Sequence, residues 1–461
     1  MKKKFKCLAV ALAALGLCFS AGCGNNHEKP FEIDSSGGLI IKEPVVVRFA
    51  APEGKFEAEI EKFTAGFKKI YPEVTIKFEP IAGDWTSQLL MQLGTNSGPD
   101  IFWTEEVYSY ASRSLLEPLD GYFEKYKVDK SDFYESMLRV GQYNGGLYMM
   151  PREYNKVVCY YNKKIMDEVF NSGVYTEATI PFTYDVGKYQ STGKFYPANG
   201  WTWSEFTATA TALIGKTGGD ISRRGADISL TWGSSGPTIF EGLGGTIRTG
   251  SGDTESIDFN NENNRKIMNE LLRYMNSGAF VNPAKPDVGE FKNGKVGMFF
   301  SSRPDASVCQ NAFKEEWDVV TFPLLPEKEA IVTGCSGYVV NASSKVKEVA
   351  MRLLFYMVSE EGQTLFSETG NCVPVLKSMK ESTTWRTYPR ANLNHDAFLW
   401  GEEYDEAPYK FKFDSTLASG KFETAWSNAI TEIIKDPTVD LNTSMGKAQT
   451  KLAEIFDEYA V

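Results

Sequence analysis

The chain has 461 residues, and its 60 aspartate and glutamate residues outnumber its 49 lysine and arginine residues, which gives a formal net charge of −11 at pH 7. This acidic balance argues against nucleic acid as a partner and against adhesion to anionic lipid by charge alone. The only histidines are His27 and His395, so we expect no histidine-based catalytic triad, no metal cluster and no cofactor. The length exceeds what one hydrophobic core usually serves and predicts two lobes.

The first 22 residues have the pattern of a signal peptide. Lysines at positions 2, 3, 4 and 6 precede an apolar run from Leu8 to Phe19, and small residues follow it. The run is well short of the roughly 20 residues that span a bilayer. Cys23 follows directly, and this junction resembles a lipobox, the site where bacterial lipoproteins are cut and acylated, although Ser20 stands where leucine is usual.

That resemblance implies a lipid on Cys23 that anchors the chain on the extracytoplasmic face of the cell membrane. An ordinary cysteine just past a cleavage site is the alternative. Removal of residues 1–22 leaves a net charge of −15, because four lysines and no acids are lost. Residues 23–43 are polar and lack a sustained period, which predicts a flexible, lipidated tether.

The next segment alternates strand and helix patterns. We predict strands at 45–50, 74–78 and 101–103 and helices at 53–70 and 85–93, and the order βαβαβ indicates a parallel sheet. Two extended runs around Pro151 suit a crossing between lobes, and residues 170–199 lack a clear period and suggest a surface insertion. Further along we predict helices at 203–213, 263–277, 347–367 and 422–459, and strands at 296–300, 317–321 and 336–340.

The cysteines beyond the predicted anchor give little information. Cys159, Cys309, Cys335 and Cys372 form no CxxC pair, and their wide spacing matches neither a zinc site nor a small disulfide scaffold. Buried free thiols and a single disulfide bridge both remain open.

Seven short motifs, taken in order, resemble a known family. They are Gly-Pro-Asp-Ile-Phe (98–102), Leu-Glu-Pro-Leu-Asp (116–120), Gly-Leu-Tyr-Met-Met-Pro (146–151), Tyr-Tyr-Asn-Lys (160–163), Trp-Thr-Trp-Ser-Glu-Phe (201–206), Phe-Lys-Asn-Gly-Lys-Val-Gly-Met (291–298) and Gly-Tyr-Val-Val (337–340). Together they are similar to the extracellular solute-binding proteins of ABC importers, the group that includes maltose-binding protein.

The resemblance implies an α/β, two-lobe fold of the type II periplasmic-binding-protein kind, each lobe a mostly parallel sheet flanked by helices. It implies about three hinge crossings, near Pro151–Val157, Lys295 and Asn341. Lobe 1 would comprise residues 44–154 and 297–340, and lobe 2 residues 155–296 and 341–461. A ligand would be captured in the cleft by lobe closure, and the closed form would dock on membrane permease subunits of an ABC transporter. A monomer is expected.

A sugar cleft needs aromatic planes for ring faces and a few fixed polar groups for hydroxyls. Residues that follow the strands, or that lie in the presumed hinge and loops, are therefore the predicted ligand contacts, with a purely structural role as the alternative for each. They are Glu53, Trp85, Trp103, Thr104, Glu105, Arg152, Tyr154, Trp232, Ser302, Arg303, Ser336, Tyr338 and Trp385. A guanidinium fork at Arg152 or Arg303 leaves an anionic ligand open as well.

Two other classes of function make different demands on the sequence. A glycoside hydrolase needs two carboxylates that flank a bond, and the adjacent pairs Glu105-Glu106 and Glu402-Glu403 point apart on a strand or helix. A surface lipoprotein that binds a macromolecule would share the anchor but need an exposed patch in place of a cleft. The favoured reading is a non-enzymatic binding lipoprotein that captures a mono- or oligosaccharide.

Overall fold

The computed structural model describes residues 30–459 apart from 55, 106, 234, 251–254, 282–287, 315, 335, 410–415 and 436–439. The predicted signal peptide, the predicted lipidation site Cys23 and the first part of the predicted tether lie outside the described residues, as does Cys335. The helices are α1 Glu57–Ile70, α2 Trp85–Gly94, α3 Tyr108–Ala111, α4 Asp120–Tyr126, α5 Glu135–Arg139, α6 Lys163–Phe170, α7 Val186–Thr192, α8 Trp203–Ala212, α9 Gly236–Gly242, α10 Glu262–Ser277, α11 Val288–Lys292, α12 Asp305–Phe313, α13 Lys347–Met357, α14 Glu360–Ser367, α15 Thr383–Arg386, α16 Thr416–Lys435 and α17 Leu441–Tyr459. The strands are β1 Phe31–Ile33, β2 Leu39–Ile41, β3 Val45–Pro52, β4 Val74–Ile81, β5 Ile101–Thr104, β6 Gln142–Tyr143, β7 Gly146–Leu147, β8 Met150–Pro151, β9 Val158–Asn162, β10 Gly215–Thr217, β11 Asp220–Asp227, β12 Arg248–Thr249, β13 Ser256–Ile257, β14 Phe280–Val281, β15 Val296–Ser301, β16 Trp317–Thr321, β17 Ile331–Val332, β18 Gly337–Val340 and β19 Asp405–Glu406.

Local sequence signals set several helix ends. Thr202 and Glu205 form a reciprocal capping box at the start of α8, and the side chain of Asn162 caps α6 by accepting from the backbone N–H of Ile165. Helix α10 ends at Gly278, which adopts a φ of +90° that favours glycine. These signals agree with the helix positions predicted from periodicity.

The first sheet has the strand order β4-β3-β5-β18-β8. β3 pairs in parallel with β4 and β5, whereas β18 runs antiparallel to β5 and β8. Helices α1, α13 and α14 pack on one another and on this sheet. We call this unit lobe 1, and its core contains Phe49, Phe63 and Tyr338.

The second sheet has the order β10-β11-β15-β9-β16, with β14 paired to β11. β11 is parallel to β14 and β15, and β9 is antiparallel to its neighbours β15 and β16. Helices α8, α10, α16 and α17 share the apolar cluster on one face of this sheet. We call this unit lobe 2.

The two-lobe α/β fold is confirmed, but both sheets are mixed and not mostly parallel. The strand pairing also differs from the predicted division of the chain. Residues 297–301 and 317–321 belong to lobe 2, because β15 and β16 both pair with β9. Residues 347–367 belong to lobe 1, because α13 and α14 pack with α1. Hydrophobic pattern identifies a strand without identifying its partner, which is why these assignments were wrong.

Three segments cross between the lobes, as expected, but two of them lie elsewhere than predicted. The first crossing, at 152–157, is confirmed. The second runs from β16 to β18 at 322–336, and the third follows α14 and reaches α16, in place of the predicted crossings near Lys295 and Asn341.

The three crossings meet in a short ribbon, which we call the hinge ribbon and define as residues 155–157, 331–334 and 405–406. Val157 donates its N–H to the carbonyl of Val332 (2.9 Å), and Gly334 donates to the carbonyl of Asn155 (2.8 Å). On the other side β17 pairs in parallel with β19. The middle crossing is therefore hydrogen-bonded to both of the others, which ties the three segments into one mechanical unit.

The predicted flexible tether is partly folded. β1 and β2 form an antiparallel hairpin, and its Phe31 is buried in the core of lobe 1, where Leu39 and Ile41 also pack. The correction has a simple cause, because the alternating apolar residues of this short polar segment give the hairpin one face to bury. The segment 170–199, predicted as an insertion, contains α7.

Three of the cysteines left open by the sequence are free thiols. Cys159, Cys309 and Cys372 are buried and unbridged. Burial raises the pKa of each thiol. Among the described residues, none of the helices combines the length and the apolar character needed to cross a bilayer.

Candidate functional site

The strand registers bring the carboxyl edges of the two sheets together. At the edge of lobe 1, Thr104 at the end of β5 pairs with Gly337, which also pairs with Pro151. At the edge of lobe 2, Ser301 at the end of β15 pairs with Val158. Residues 152–157 join these two edges directly, so the cleft between the lobes is bordered by the carboxyl ends of parallel strands, where open α/β sheets bind ligands.

An aromatic wall stands on the lobe 1 side of this cleft. Trp103, at the end of β5, lies between Phe56 and Trp85, with ring centroids 5.0 Å and 5.2 Å away. Phe56 precedes α1 and Trp85 begins α2, so three different elements contribute one ring each. Phe56 and Trp103 are buried, and Trp85 is half-buried and is the ring left for a ligand to cover. The Trp103 indole N–H has no hydrogen-bond partner among the described residues.

Two carboxylates lie beside the aromatic wall. Glu53 follows β3 and Glu105 follows β5, and both are exposed. The neighbouring Thr104 is buried, which leaves its side chain closed to a ligand in this structure. The predicted contacts Glu53, Trp85, Trp103 and Glu105 are thus brought to one edge of lobe 1.

Lobe 2 contributes a smaller set at its own edge. Trp232 follows β11, is half-buried, and packs on the core of this lobe. It stands in a loop that begins with Ser229, whose backbone N–H and hydroxyl both donate to the Asp227 carboxylate at 2.8 Å. Ser302 follows β15 and is half-buried, and its carbonyl accepts from the Tyr160 hydroxyl at 2.8 Å.

Arg152 is held in a buried charge network at the floor of the cleft. Its guanidinium donates to Glu59 at 2.9 Å from Nε and 2.5 Å from Nη2, and to Glu153 at 3.0 Å from Nη1. It also lies over the rings of Phe56 and Phe366. Burial raises the pKa of the Glu153 carboxyl, and the Arg152 charge opposes that shift. With a carboxylate on each side of its guanidinium, the charge of Arg152 is compensated within the hinge.

Tyr338 and Ser336 belong to the same network. The Tyr338 hydroxyl donates to Glu59, and its ring is fully buried between those of Phe49 and Phe63. Ser336 is half-buried, and its carbonyl accepts from the Arg152 backbone N–H at 3.0 Å. The predicted ligand contact at Tyr338 is therefore corrected to a structural one.

Tyr154 is also fully buried, and the sequence did not anticipate why. Its ring stacks on Tyr134 with a centroid distance of 4.0 Å, and its hydroxyl donates to Asp405 at 2.7 Å. Asp405 forms a buried ion pair with Lys156 at 2.6 Å, and Lys156 also donates to the carbonyl of Trp400 at 2.7 Å. Burial lowers the pKa of Lys156, and the Asp405 charge opposes that shift. This ion pair joins the first and third crossings.

Arg303 and Trp385 are both buried. Arg303 donates to the carbonyls of Trp385 (3.1 Å) and Tyr388 and contacts His395 Nδ1 at 3.2 Å. Its guanidinium lies over the rings of Trp385 and Phe398. Burial lowers the pKa of Arg303 to about 10. Both predicted contacts are corrected, because these side chains fix the segment after α14 onto lobe 2.

Sequence reasoning missed the residues that complete these networks. Phe56 falls inside the helix predicted over 53–70, and the sequence analysis does not single out Glu59, Lys156 or Asp405. The pairing of Arg152 with Glu59 spans 93 residues, and no local pattern encodes such a contact. A lysine inside a segment predicted to cross between lobes was the one available signal.

Comparisons with known proteins agree with this architecture. A family described as bacterial extracellular solute-binding protein matches residues 60–392. An ABC substrate-binding protein from Listeria monocytogenes, solved in complex with cycloalternan, superposes with a TM-score of 0.66 at 19% identity, over 90% of this chain and 98% of its own. A sugar-binding protein from Xanthomonas citri gives 0.69 at 17% identity, with coverages of 90% and 98%. A Mycobacterium tuberculosis protein in complex with glycerophosphocholine gives 0.68 at 17% identity, with coverages of 90% and 100%.

Proposed function

Because the chain belongs to the family of bacterial extracellular solute-binding proteins, we propose that it captures a carbohydrate between its lobes and delivers it to a membrane permease. Capture requires no bond to be made or broken. A ligand that contacts both lobes favours the closed arrangement, since it binds that state more tightly.

The main support for a sugar as the ligand is the aromatic wall formed by Phe56, Trp103 and Trp85. The half-buried Trp85 ring can cover the apolar C–H face of a sugar ring. The buried Trp103 indole N–H has no partner among the described residues and can donate to a hydroxyl.

Charge favours a neutral ligand over an anionic one. Arg152 is engaged by Glu59 and Glu153, and Arg303 is buried and donates to the carbonyls of Trp385 and Tyr388. The exposed acids beside the wall, Glu53 and Glu105, repel a phosphate and can accept from sugar hydroxyls. Relatives with this fold were solved with cycloalternan and with glycerophosphocholine, so the fold alone does not choose between these classes.

Thermal melting against a panel of neutral mono- and oligosaccharides tests the proposal. A ligand bound only by the folded state at 100 times its Kd stabilises that state by about 2.7 kcal/mol and raises the melting temperature. With the sugar that gives a shift, we expect Trp85→Ala to weaken affinity at least about fivefold, because truncating an aromatic anchor costs more than about 1 kcal/mol.

Tyr189→Ala is the matched control for this experiment. Tyr189 stacks on Phe195 in the insertion that contains α7, near Lys188, which pairs with Asp318 at the far end of β16. The Tyr189→Ala substitution should leave the affinity for the sugar unchanged. Absence of any shift across the panel, or equal losses from both variants, contradicts carbohydrate capture at this wall.

The same proposal places the protein on the extracytoplasmic face of the membrane through a lipid on Cys23. The support is the order of basic, apolar and small residues before Cys23. Mass spectrometry of the mature amino terminus tests it, because a diacylated Cys23 is expected and an unmodified one contradicts the anchor.

A further inference from the structure

The amino-terminal hairpin fixes the place where the chain leaves lobe 1. The carbonyl of Pro30 accepts from the backbone N–H groups of Lys42 (2.8 Å) and Glu43 (3.1 Å). These residues lie just before β3, whose first residue Val45 pairs with the first residue of β4. The carboxyl ends of these strands border the cleft, so Pro30 lies at the opposite end of sheet 1, which we call the base of lobe 1.

Several contacts hold this hairpin in place. Phe31 is buried in the lobe 1 core, and Leu39 and Ile41 pack beside it. From α13, Arg352 donates to the carbonyl of Gly37 at the turn and lies 3.9 Å from the ring centroid of Tyr126. The Asp34 carboxylate accepts from the N–H groups of Ser36 and Gly38 and closes the turn. The hairpin is thus a docked part of lobe 1.

Because the hairpin is docked on lobe 1, only a short length of chain separates the proposed lipid on Cys23 from the folded lobe. Between Cys23 and Pro30 there are seven peptide links, which can span at most about 25 Å. If the whole segment to Glu43 were extended, its twenty links would span about 70 Å. For comparison, the radius of gyration expected for a compact chain of the described length is about 22 Å. A lipid on Cys23 cannot hold the protein far from the bilayer.

We propose that the base of lobe 1 faces the lipid surface as a membrane-proximal platform. This inference rests on the proposed lipid anchor at Cys23. Ile40 on the outward face of the hairpin is 43% exposed, Ile33 on the opposite face is 39% exposed, and neighbouring Val46 is 51% exposed. These side chains border the surface that meets the lipid headgroups.

Energy transfer from the reconstituted lipoprotein tests this orientation. A fluorescent amino acid is placed at Val46 in lobe 1 or at Ile221, an exposed residue at the amino end of β11 in lobe 2. The acceptor is a headgroup-labelled lipid in phosphatidylethanolamine and phosphatidylglycerol vesicles. Transfer from position 46 should exceed that from position 221 several-fold, and equal transfer from the two positions overturns the proposal.

Lengthening the chain between Cys23 and Pro30 distinguishes an orientation set by the short anchor from direct adhesion of the hairpin to lipid. Inserting ten Gly and Ser residues after Lys29 should lower transfer from position 46, because the span grows to about 60 Å. The matched control inserts the same ten residues between Gly218 and Gly219, in the turn that joins β10 to β11, and should leave transfer unchanged. Undiminished energy transfer after the first insertion overturns the claim that the short anchor segment sets the orientation of lobe 1.

The outcomes also distinguish this inference from sugar capture. An unmodified Cys23 overturns the platform together with the anchor, while a sugar-induced rise in melting temperature of the same protein leaves capture intact. Loss of the melting shift with unequal transfer from positions 46 and 221 overturns capture and supports the platform.

Discussion

At the scale of single residues, the hinge region depends on buried charges that each have a defined partner. Arg152 is shared by Glu59 and Glu153, and Lys156 pairs with Asp405. Removing one member of such a pair leaves an uncompensated buried charge, which is more costly than the pair itself is favourable. These residues therefore constrain the hinge more than they stabilise the fold.

His395 offers a residue-scale prediction about pH. Its Nδ1 faces Arg303, and its Nε2 donates to the carbonyl of Arg390 at 2.9 Å, so the ring is neutral with the proton on Nε2. Burial, assisted by the Arg303 charge, lowers the pKa of His395 to about 4 from an ordinary value of 6.5. Between these values the unfolded chain binds a proton that the folded chain does not.

We therefore expect the free energy of unfolding to fall as pH decreases from about 6.5 to about 4, by at most about 3 kcal/mol from this residue. Urea unfolding at a series of pH values measures the slope. His395→Gln keeps an acceptor and a donor without the titration and should flatten the slope over this interval. An identical slope in the variant assigns the effect to other groups.

At the scale of elements, the hinge ribbon is the part of the fold with least room for change. Gly334, in the middle crossing, lies so close to the first crossing that a Cβ there would stand 2.6 Å from Nδ2 and 2.8 Å from Cγ of Asn155. The two crossings are hydrogen-bonded at this point, so a side chain at 334 must push them apart.

Gly334→Ala should lower the free energy of unfolding by about 1–3 kcal/mol, the usual cost of overpacking. Asn155→Ala removes the two closest atoms and should cost little alone, because the Asn155 Oδ1 has no partner among the described residues and its Nδ2 makes one long hydrogen bond, 3.4 Å, to Glu153. The double variant should recover most of the loss in urea unfolding. Additive losses from the two substitutions are inconsistent with a steric clash at this contact.

At the scale of the whole molecule, one apolar cluster runs through both lobes. It includes Phe49 and Tyr338 from sheet 1, Tyr154 from the first crossing, and Tyr160 and Trp317 from sheet 2. Neither lobe can lose its packing without exposing part of this shared cluster. The lobes are therefore coupled in stability although they hold separate sheets.

We expect calorimetry to give one unfolding transition in which the calorimetric and van't Hoff enthalpies agree. Two resolved transitions would show that the shared cluster does not couple the lobes. Scans at two heating rates serve as the control, because a midpoint that depends on heating rate reports irreversible loss and not an equilibrium.

Much of the local structure follows from the sequence, and the long-range pairing does not. The periodicity of hydrophobic residues predicted the bounds of β3, α1, β4, α2 and β5 to within a few residues at each end. The sequence motifs indicated the two-lobe fold. The sequence could not show that β15 and β16 pair with β9, since an apolar run carries no record of its neighbour.

The same limit applies to the candidate site. Because parallel strands share their carboxyl edge, positions after neighbouring strands predicted that Trp85 and Trp103 meet at one edge of lobe 1, and a ligand contact by either ring stays a prediction. Residue type alone could not distinguish an exposed ring from Trp385, which is fully buried, or a ligand-binding guanidinium from Arg303. Burial depends on segments far away along the chain.

The position of β18 has a consequence for how this chain comes to be folded. β18 lies between β5 and β8 in sheet 1, yet it is made long after both of them. During synthesis from the amino terminus, nearly 190 residues follow β8 before β18 exists. Until then the partners of β18 present unpaired edges, which are prone to misassembly. We infer that the sheet of lobe 1 cannot be completed before β18 is synthesised, and that the nascent protein needs protection until this interior strand is available.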